Sequence, residues 1–301
     1  MSTHDFGPLV LGTNTFGWTS DREQSFAVLD TFVEAGGTLI DTADVYSAFV
    51  PGNSGGESET IIGGWLTSRG LRDRVRIATK IGAWHEHPGL SAATVRRAVE
   101  GSLRRLRTDR LDVLYAHGDD PARTPDEISA AFDALVREGK VRALGLSNFS
   151  APRIRAVVEA ARAAGRAPFE ISQDHYNLVE RSFETKLAPV LSELGLVELP
   201  YFSLASGFLT GKYRDGCHQA SPRSGMAAAY LRNPRSRALL AALDRIAADR
   251  GVSVAAVALA WLRQQPTVAA PIAGARTPGQ LASLVGSFTL SLNDDELKML
   301  A

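Results

Sequence analysis

Cysteine is almost absent from this 301-residue chain; with Cys217 alone, no internal disulfide can form. Lysine is scarce as well, confined to Lys80, Lys140, Lys186, Lys212 and Lys298, with arginine carrying the remaining positive charge. Net charge is missing: 33 basic residues offset 33 acidic ones, so no overall field gathers nucleic acid or an anionic membrane. The longest apolar stretches, such as 252–262, fall short of the roughly 20 residues that cross a bilayer. The start, Met1-Ser2-Thr3-His4-Asp5, has neither the basic region nor the apolar run of a secretory signal, which makes the cytoplasm the expected compartment. No G-x-G-x-x-G follows the first candidate strand, and no Pro/Ser-rich linker divides the chain. These absences exclude a disulfide scaffold, a membrane protein and a nucleic-acid binder, and leave a small-molecule ligand.

What is present is ample apolar material, 45% of residues, in a regular order. Short β-branched or apolar runs predict strands at 9–13, 38–41, 76–80, 111–117, 141–147, 170–173, 197–201 and 268–272. Helical spacing fills the gaps at 24–35, 57–69, 93–105, 127–138, 152–163, 184–193 and 236–264, and 277–285 and 294–300 close the chain. Ser91, Thr124 and Ser150 stand at N-cap positions, Pro125 and Pro152 in or near first turns, and Gly70, Gly139 and Gly165 after last turns. Alternating strand and helix without a break predicts one domain over 1–301, an α/β fold with an eight-stranded parallel (β/α)8 TIM barrel. A doubly wound open sheet is the rival, weakened by the missing glycine fingerprint. One long irregular segment, 203–234, follows the seventh strand and belongs on the barrel face that carries active sites.

Polar residues collect at the C-terminal ends of successive strands: Asp41, Lys80, His117, Asn148 and Gln173. Any one alone is an ordinary strand-end residue. In a closed parallel barrel all five meet at one mouth, within about 10 Å. Tyr46, on the loop after Asp41, is the candidate acid. A free phenol titrates near 10 and donates sluggishly at neutral pH unless a cation such as Lys80 stabilises the phenolate. His117 is then placed to hydrogen-bond a substrate oxygen, and the set suits reduction of a carbonyl.

These residues resemble the aldo-keto reductase family. The resemblance is carried by Asp41-Thr42-Ala43-Asp44-Val45-Tyr46, Ala78-Thr79-Lys80, His117, Gly139-Lys140-Val141-Arg142 and Gly145-Leu146-Ser147-Asn148-Phe149. Further matches are Gln173 with Tyr176-Asn177 and Leu209-Thr210-Gly211-Lys212-Tyr213, so the likeness covers nearly the whole chain. It implies the same barrel, NADPH usually preferred over NADH, no metal, and a carbonyl substrate. It makes Tyr46 the general acid, Lys80 the residue that lowers its pKa, Asp41 the partner of Lys80 and His117 the orienting group. It further implies that Ser147, Asn148 and Gln173 bind the nicotinamide carboxamide, that Tyr201 stacks on the ring, and that Gly12 and Thr13 lie near the ribose. Phe202, Ser203, Leu204, Ser206, Gly207, Leu209, Gly211 and Lys212 fall in the segment over the pyrophosphate, and Gly274, Arg276 and Gln280 in the adenosine site. Arg276 suits a 2′-phosphate, which favours NADPH.

The sequence departs from the family at Ser283 and Leu284, where the adenine-contacting Glu and Asn are usual, and at Phe202-Ser203 in place of Ser-Pro. The loop after Tyr46 inserts Phe49-Val50-Pro51-Gly52-Asn53, and the N-terminal hairpin is truncated. Trp18, Phe49 and Trp84, with Tyr46 and His117, are the expected substrate walls. Gly52-Asn53-Ser54-Gly55-Gly56 satisfies a hydrolase elbow, but no strand runs into it. His85-Glu86-His87 lacks a third well-placed metal ligand. His175 reads as a packed histidine behind the site, and Tyr115 and Cys217 receive no role. Two alternatives compete with the reductase: a Schiff-base aldolase using Lys80, and a cofactor-binding regulatory subunit with little turnover. A monomer or small homo-oligomer is expected.

Overall fold

In the computed structural model, which describes residues 6–214 and 224–301, alternate residues of each strand face opposite cores. The strands among the described residues are β1 (Val10–Gly12), β2 (Leu39–Asp41), β3 (Arg76–Ile81), β4 (Leu111–Ala116), β5 (Val141–Ser147), β6 (Phe169–Gln173), β7 (Val197–Glu198) and β8 (Ile272–Ala273). All pair in parallel, in the order β7-β6-β5-β4-β3-β2-β1-β8. The ends of that row meet. Glu198 N–H donates to the Thr267 carbonyl at 2.8 Å, Ala269 N–H to that of Glu198 at 2.9 Å, and Ile272 N–H to that of Pro200 at 2.9 Å. The result is the expected (β/α)8 barrel.

Val10, Leu39, Ala78, Val113, Tyr115, Ala143, Ile171, Leu199 and Ile272 fill the barrel with Phe6, while Leu11, Ile40, Ile77, Leu114, Leu144 and Leu146 pack outward against helices. This period-two division follows from strand geometry. It also explains why the site forms where it does. Two residues beyond Leu39, Ala78 and Ile171, the same column reaches Asp41, Lys80 and Gln173 at the C-terminal mouth. Tyr115 fills the space beneath them, and Gly145 on β5 makes room for it, since a Cβ there would lie 2.4 Å from the Tyr115 ring.

Local signals set the helix ends. α1 (Arg22–Glu34) opens on an Asp21/Gln24 capping box and α2 (Glu57–Arg69) ends at Gly70 in the left-handed region. Ser91 caps α3 (Ala92–Leu106), and a Thr124/Glu127 capping box opens α4 (Pro125–Arg137). Ser150 stands at the N-cap of α5 (Ala151–Ala163) without a side-chain cap bond.

Several boundaries differ from the sequence-based expectation. The 184–193 helix divides into α6 (Phe183–Lys186) and α7 (Ala188–Leu194), with Pro189 in the first turn of α7, where a missing N–H is tolerated. The 203–234 segment is not irregular throughout: it holds a 3-10 stretch (Ala205–Thr210) and α8 (Ser224–Arg232). Its portion 215–223, with Cys217, lies outside the described residues. The 236–264 helix breaks at Gly251, φ 63°, into α9 (Pro234–Arg250) and α10 (Val254–Arg263), which Ser253 caps. β7 and β8 are shorter than expected because Pro200 and Pro271 have no N–H to give the ladder. α11 (Pro278–Val285) and α12 (Asp294–Met299) complete the fold. No helix among the described residues is long and apolar enough to cross a membrane.

Candidate active site

At the base of the mouth Lys80 is buried to 1% exposure, and its ammonium reaches three oxygens. It donates to Asp41 Oδ2 at 2.6 Å, to the Thr42 carbonyl at 2.8 Å and to the Tyr46 hydroxyl at 2.8 Å. Burial works against the Lys80 charge, but the attraction of Asp41 and of the Tyr46 oxygen outweighs it, and the net shift of its pKa is upward. Asp41 is fixed from its other side by Gln173 Nε2, which donates to Oδ1 at 3.0 Å.

Tyr46 lies on the turn after β2, and the backbone that follows is held in place. Ser47 takes φ 69° and its hydroxyl donates to the Phe16 carbonyl at 2.8 Å. Asn53 Nδ2 donates to the carbonyls of Gly17 at 2.8 Å and Ser47 at 3.2 Å. The sequence assigns neither residue this role, because local backbone pinning is not recorded by a motif. The Tyr46 and His117 rings meet edge-on, with centroids 6.2 Å apart. Burial, reinforced by the Lys80 charge, pushes the His117 imidazole down to about 3, so it is neutral near pH 7. Its Nδ1 is buried with no hydrogen-bond partner among the described residues.

Above this base a cavity of about 530 Å³ opens. Asp41, Tyr46, His117, Ser147, Asn148 and Gln173 line its floor, with Gly12 and Tyr201 beside them. Ser147 Oγ donates to the Gln173 carbonyl at 2.7 Å, and Asn148 Nδ2 donates to the His117 carbonyl at 3.0 Å. The long arm after β7 forms one wall, through Phe202, Ser203, Leu204, Ser206, Gly207 and Lys212. Gly274, Arg276 and Gln280 form the far end, where Gln280 Oε1 accepts from Arg276 N–H at 3.0 Å. Trp18 faces the cavity, and the exposed ring of Phe49 packs edge-on against it at 5.0 Å.

Other residues singled out in the sequence lie elsewhere. Thr13 is fully buried beneath the wall, its hydroxyl donating to the Asp41 carbonyl at 2.8 Å and lying 2.8 Å from Ser58 Oγ. Leu209 packs into the core, and Gly211 ends the 3-10 stretch with φ 76°. Trp84 is buried away from the cavity under Arg105, whose guanidinium lies 5.3 Å from its ring. Ser54 sits on an exposed loop with no strand leading into it. His85 and Glu86 are exposed, and among the described residues no group of three acidic, histidine or cysteine side chains is placed to hold a metal. Asn14, Thr15, Thr19, Thr210 and Tyr213 also line the cavity without having been expected there. They are small or loop residues that only the closed barrel brings together.

The aldo/keto reductase family model matches residues 8–301. The chain belongs to the aldo/keto reductase family. It is 35% identical to the uncharacterized oxidoreductase YrpG of Bacillus subtilis (strain 168) over 97% of this chain and 90% of that protein. It is 32% identical to norsolorinic acid reductase stcV of Emericella nidulans, over 96% and 76%, and 31% identical to the NADP(+) aryl-alcohol dehydrogenase of Phanerodontia chrysosporium, over 97% and 81%. As an aldo/keto reductase the protein is an oxidoreductase, of a family that generally uses nicotinamide dinucleotides and small carbonyl substrates. The cavity fits such a group in kind: a polar floor for an amide, a glycine-bearing arm with Lys212 for phosphates, and Arg276 at the far end.

Proposed function

We propose that this protein is a cytoplasmic, single-domain reductase, a monomer or small homo-oligomer, that converts an aldehyde or ketone to an alcohol with NADPH, NADH being the alternative donor. The observation that carries this reading is the Lys80 ammonium, placed between Asp41 and the Tyr46 hydroxyl at the cavity floor. When bound, the dinucleotide supplies the hydride. Ser147, Asn148 and Gln173 would hold its carboxamide, with Tyr201 toward the ring and Gly12, above Thr13, toward the ribose. Phe202, Ser203, Leu204, Ser206, Gly207, Lys212, Gly274, Arg276 and Gln280 hold the rest, with Leu209 and Gly211 shaping the arm.

Tyr46 gives its proton to the carbonyl oxygen. Lys80, beside the phenolic oxygen, stabilises the negative charge left there, and Asp41 keeps Lys80 charged. The neutral His117 hydrogen-bonds the same carbonyl oxygen and turns it toward Tyr46. Trp18 and Phe49 offer an aromatic wall, so aryl aldehydes and aromatic ketones head the list of substrates. Trp84 shapes that side only from behind. A Schiff base on Lys80 is disfavoured, since a nucleophilic lysine needs a lowered pKa and a free lone pair, whereas this one is driven upward with its three donors engaged.

The test is titration with NADPH and NADH, followed by quenching of tryptophan fluorescence, with Arg276→Ala alongside and then a panel of carbonyl compounds. Micromolar NADPH binding that weakens by about tenfold or more in the variant, together with NADPH consumption on an aryl aldehyde, supports the reading. Absence of binding by either nucleotide overturns it.

A further inference from the structure

Behind the floor lies a closed cycle of hydrogen bonds whose centre is a residue given no role so far. Asp174 directly follows β6 and is 5% exposed. Its Oδ1 accepts the backbone N–H of Asn148 at 3.1 Å, and its backbone carbonyl accepts the N–H of Tyr201 at 3.0 Å. The two residues it holds bond each other across the mouth, the Tyr201 hydroxyl donating to Asn148 Oδ1 at 2.7 Å. Asn148 also donates to the His117 carbonyl at 3.0 Å and to Ser147 Oγ at 3.0 Å. The Asp174 carboxyl therefore holds Asn148 directly, and reaches the Tyr201 hydroxyl and the His117 carbonyl through the Asn148 side chain.

The backbone conformation of Asn148 explains what an acceptor at this place does. Asn148 has φ 59°, in the left-handed region, which asparagine enters more readily than other side chains but less readily than glycine. An acceptor fixed opposite its N–H holds that conformation, and a charged acceptor holds it more firmly than a neutral one. Asp174 is itself braced, with Ser172 Oγ donating to Oδ2 and its own N–H donating to Glu198 Oε1 at 2.7 Å. Glu198 is fully buried, and burial, then the neighbouring Asp174, pushes its carboxyl well above the usual range. Burial pushes Asp174 up as well, to about 6, and Asp174 is the first of the pair to ionise.

We infer that Asp174 is a positioning residue: it locks Asn148 and Tyr201 into one arrangement so that the carbonyl substrate and the dinucleotide meet in register. The inference rests on the reductase reading and adds to it a residue that touches neither ligand. Loosening Asn148, and through it the Tyr201 hydroxyl, affects the reacting end alone, because the arm and the Arg276 end do not depend on the Asp174 side chain.

The experiment compares Asp174→Ala and Asp174→Asn with the wild type in NADPH affinity, in kcat per NADPH-binding site, and in amide hydrogen exchange over 143–150 and 199–204. For Asp174→Ala the expected result is kcat lowered about 10- to 100-fold, NADPH affinity within about threefold, and faster exchange at Asn148, whose N–H alone loses its acceptor. Asp174→Asn keeps an oxygen acceptor and is expected to recover most of the turnover. Unchanged kcat in Asp174→Ala, or a loss that follows only the fraction of folded protein, overturns the inference. Unchanged exchange at Asn148 overturns it too, whatever the activity. If the wild type binds no nicotinamide nucleotide, the reductase reading fails by itself, while the exchange comparison still decides whether Asp174 pins Asn148.

Discussion

The Lys80 ammonium stands 2.8 Å from the Tyr46 hydroxyl and 4.7 Å from the centre of its ring, so one cation serves both the oxygen and the face of the phenol. Removing only that oxygen separates proton transfer from ligand binding. Tyr46→Phe is expected to abolish carbonyl reduction and to leave NADPH affinity within about threefold, measured by steady-state turnover beside fluorescence titration. A variant with wild-type turnover removes Tyr46 from the role of acid.

Asp41 and Lys80 are both nearly inaccessible, which makes the pair costly to break from one side. Lys80→Met leaves a buried carboxylate without its cation and is expected to cost about 3–5 kcal/mol in urea unfolding. Asp41→Asn combined with Lys80→Met should recover much of that stability and none of the activity. If the double variant is as unstable as the single one, unpaired charge is not the source of the loss.

His117 titrates far below neutrality, so protonation of its imidazole cannot shape the rate between pH 5 and 9. His117→Gln is expected to lower kcat/KM by about 10- to 1,000-fold while leaving the form of the pH profile unchanged over that range. An acid limb near pH 6 in the wild type that vanishes in the variant would contradict a neutral histidine.

Asp44, fully buried two residues before Tyr46, is pushed up to about 7 by burial and by the neighbouring Glu59, against an ordinary value of 3.8. A folded-state pKa above the unfolded one means that its ionisation opposes folding. The stabilising effect of the bound proton is complete below pH 3.8 and is lost as the pH rises through 7. The penalty in alkaline solution has an upper limit of about 4 kcal/mol. The difference in Tm between Asp44→Asn and wild type should therefore move in favour of the variant from pH 5 to pH 8, by several degrees in thermal melts. A difference independent of pH would show that Asp44 keeps its ordinary pKa.

Much of this architecture was legible because strand periodicity and strand-end chemistry coincide. Leu39 with Asp41, and Ala78 with Lys80, lie two residues apart, and that spacing alone puts both members of each pair inside the barrel. What escaped notice depends on closure in three dimensions. Trp84 occupies a promising place in the chain but turns under Arg105. Thr13 ends at Ser58 and the Asp41 carbonyl instead of in the cavity. Asp174 looks like an ordinary residue between Gln173 and His175 until the backbones of Asn148 and Tyr201 arrive beside it. The early end of β7 before Pro200 and the late start of β8 after Pro271 follow from those prolines, whose missing donors outweigh the apolar character of their neighbours.

Those two short strands divide the barrel mechanically. β3, β4 and β5, of six, six and seven residues, carry Lys80, Ser147 and the strand leading to His117, and form the stiff side. β7 and β8 have two residues each, and the arm of residues 201–213 leaves directly beyond β7. Movement of the arm can thus be taken up by the compliant side, where few ladder bonds resist it. A ligand that displaced the arm would load the two-residue strands β7 and β8 before it disturbed Lys80 on β3.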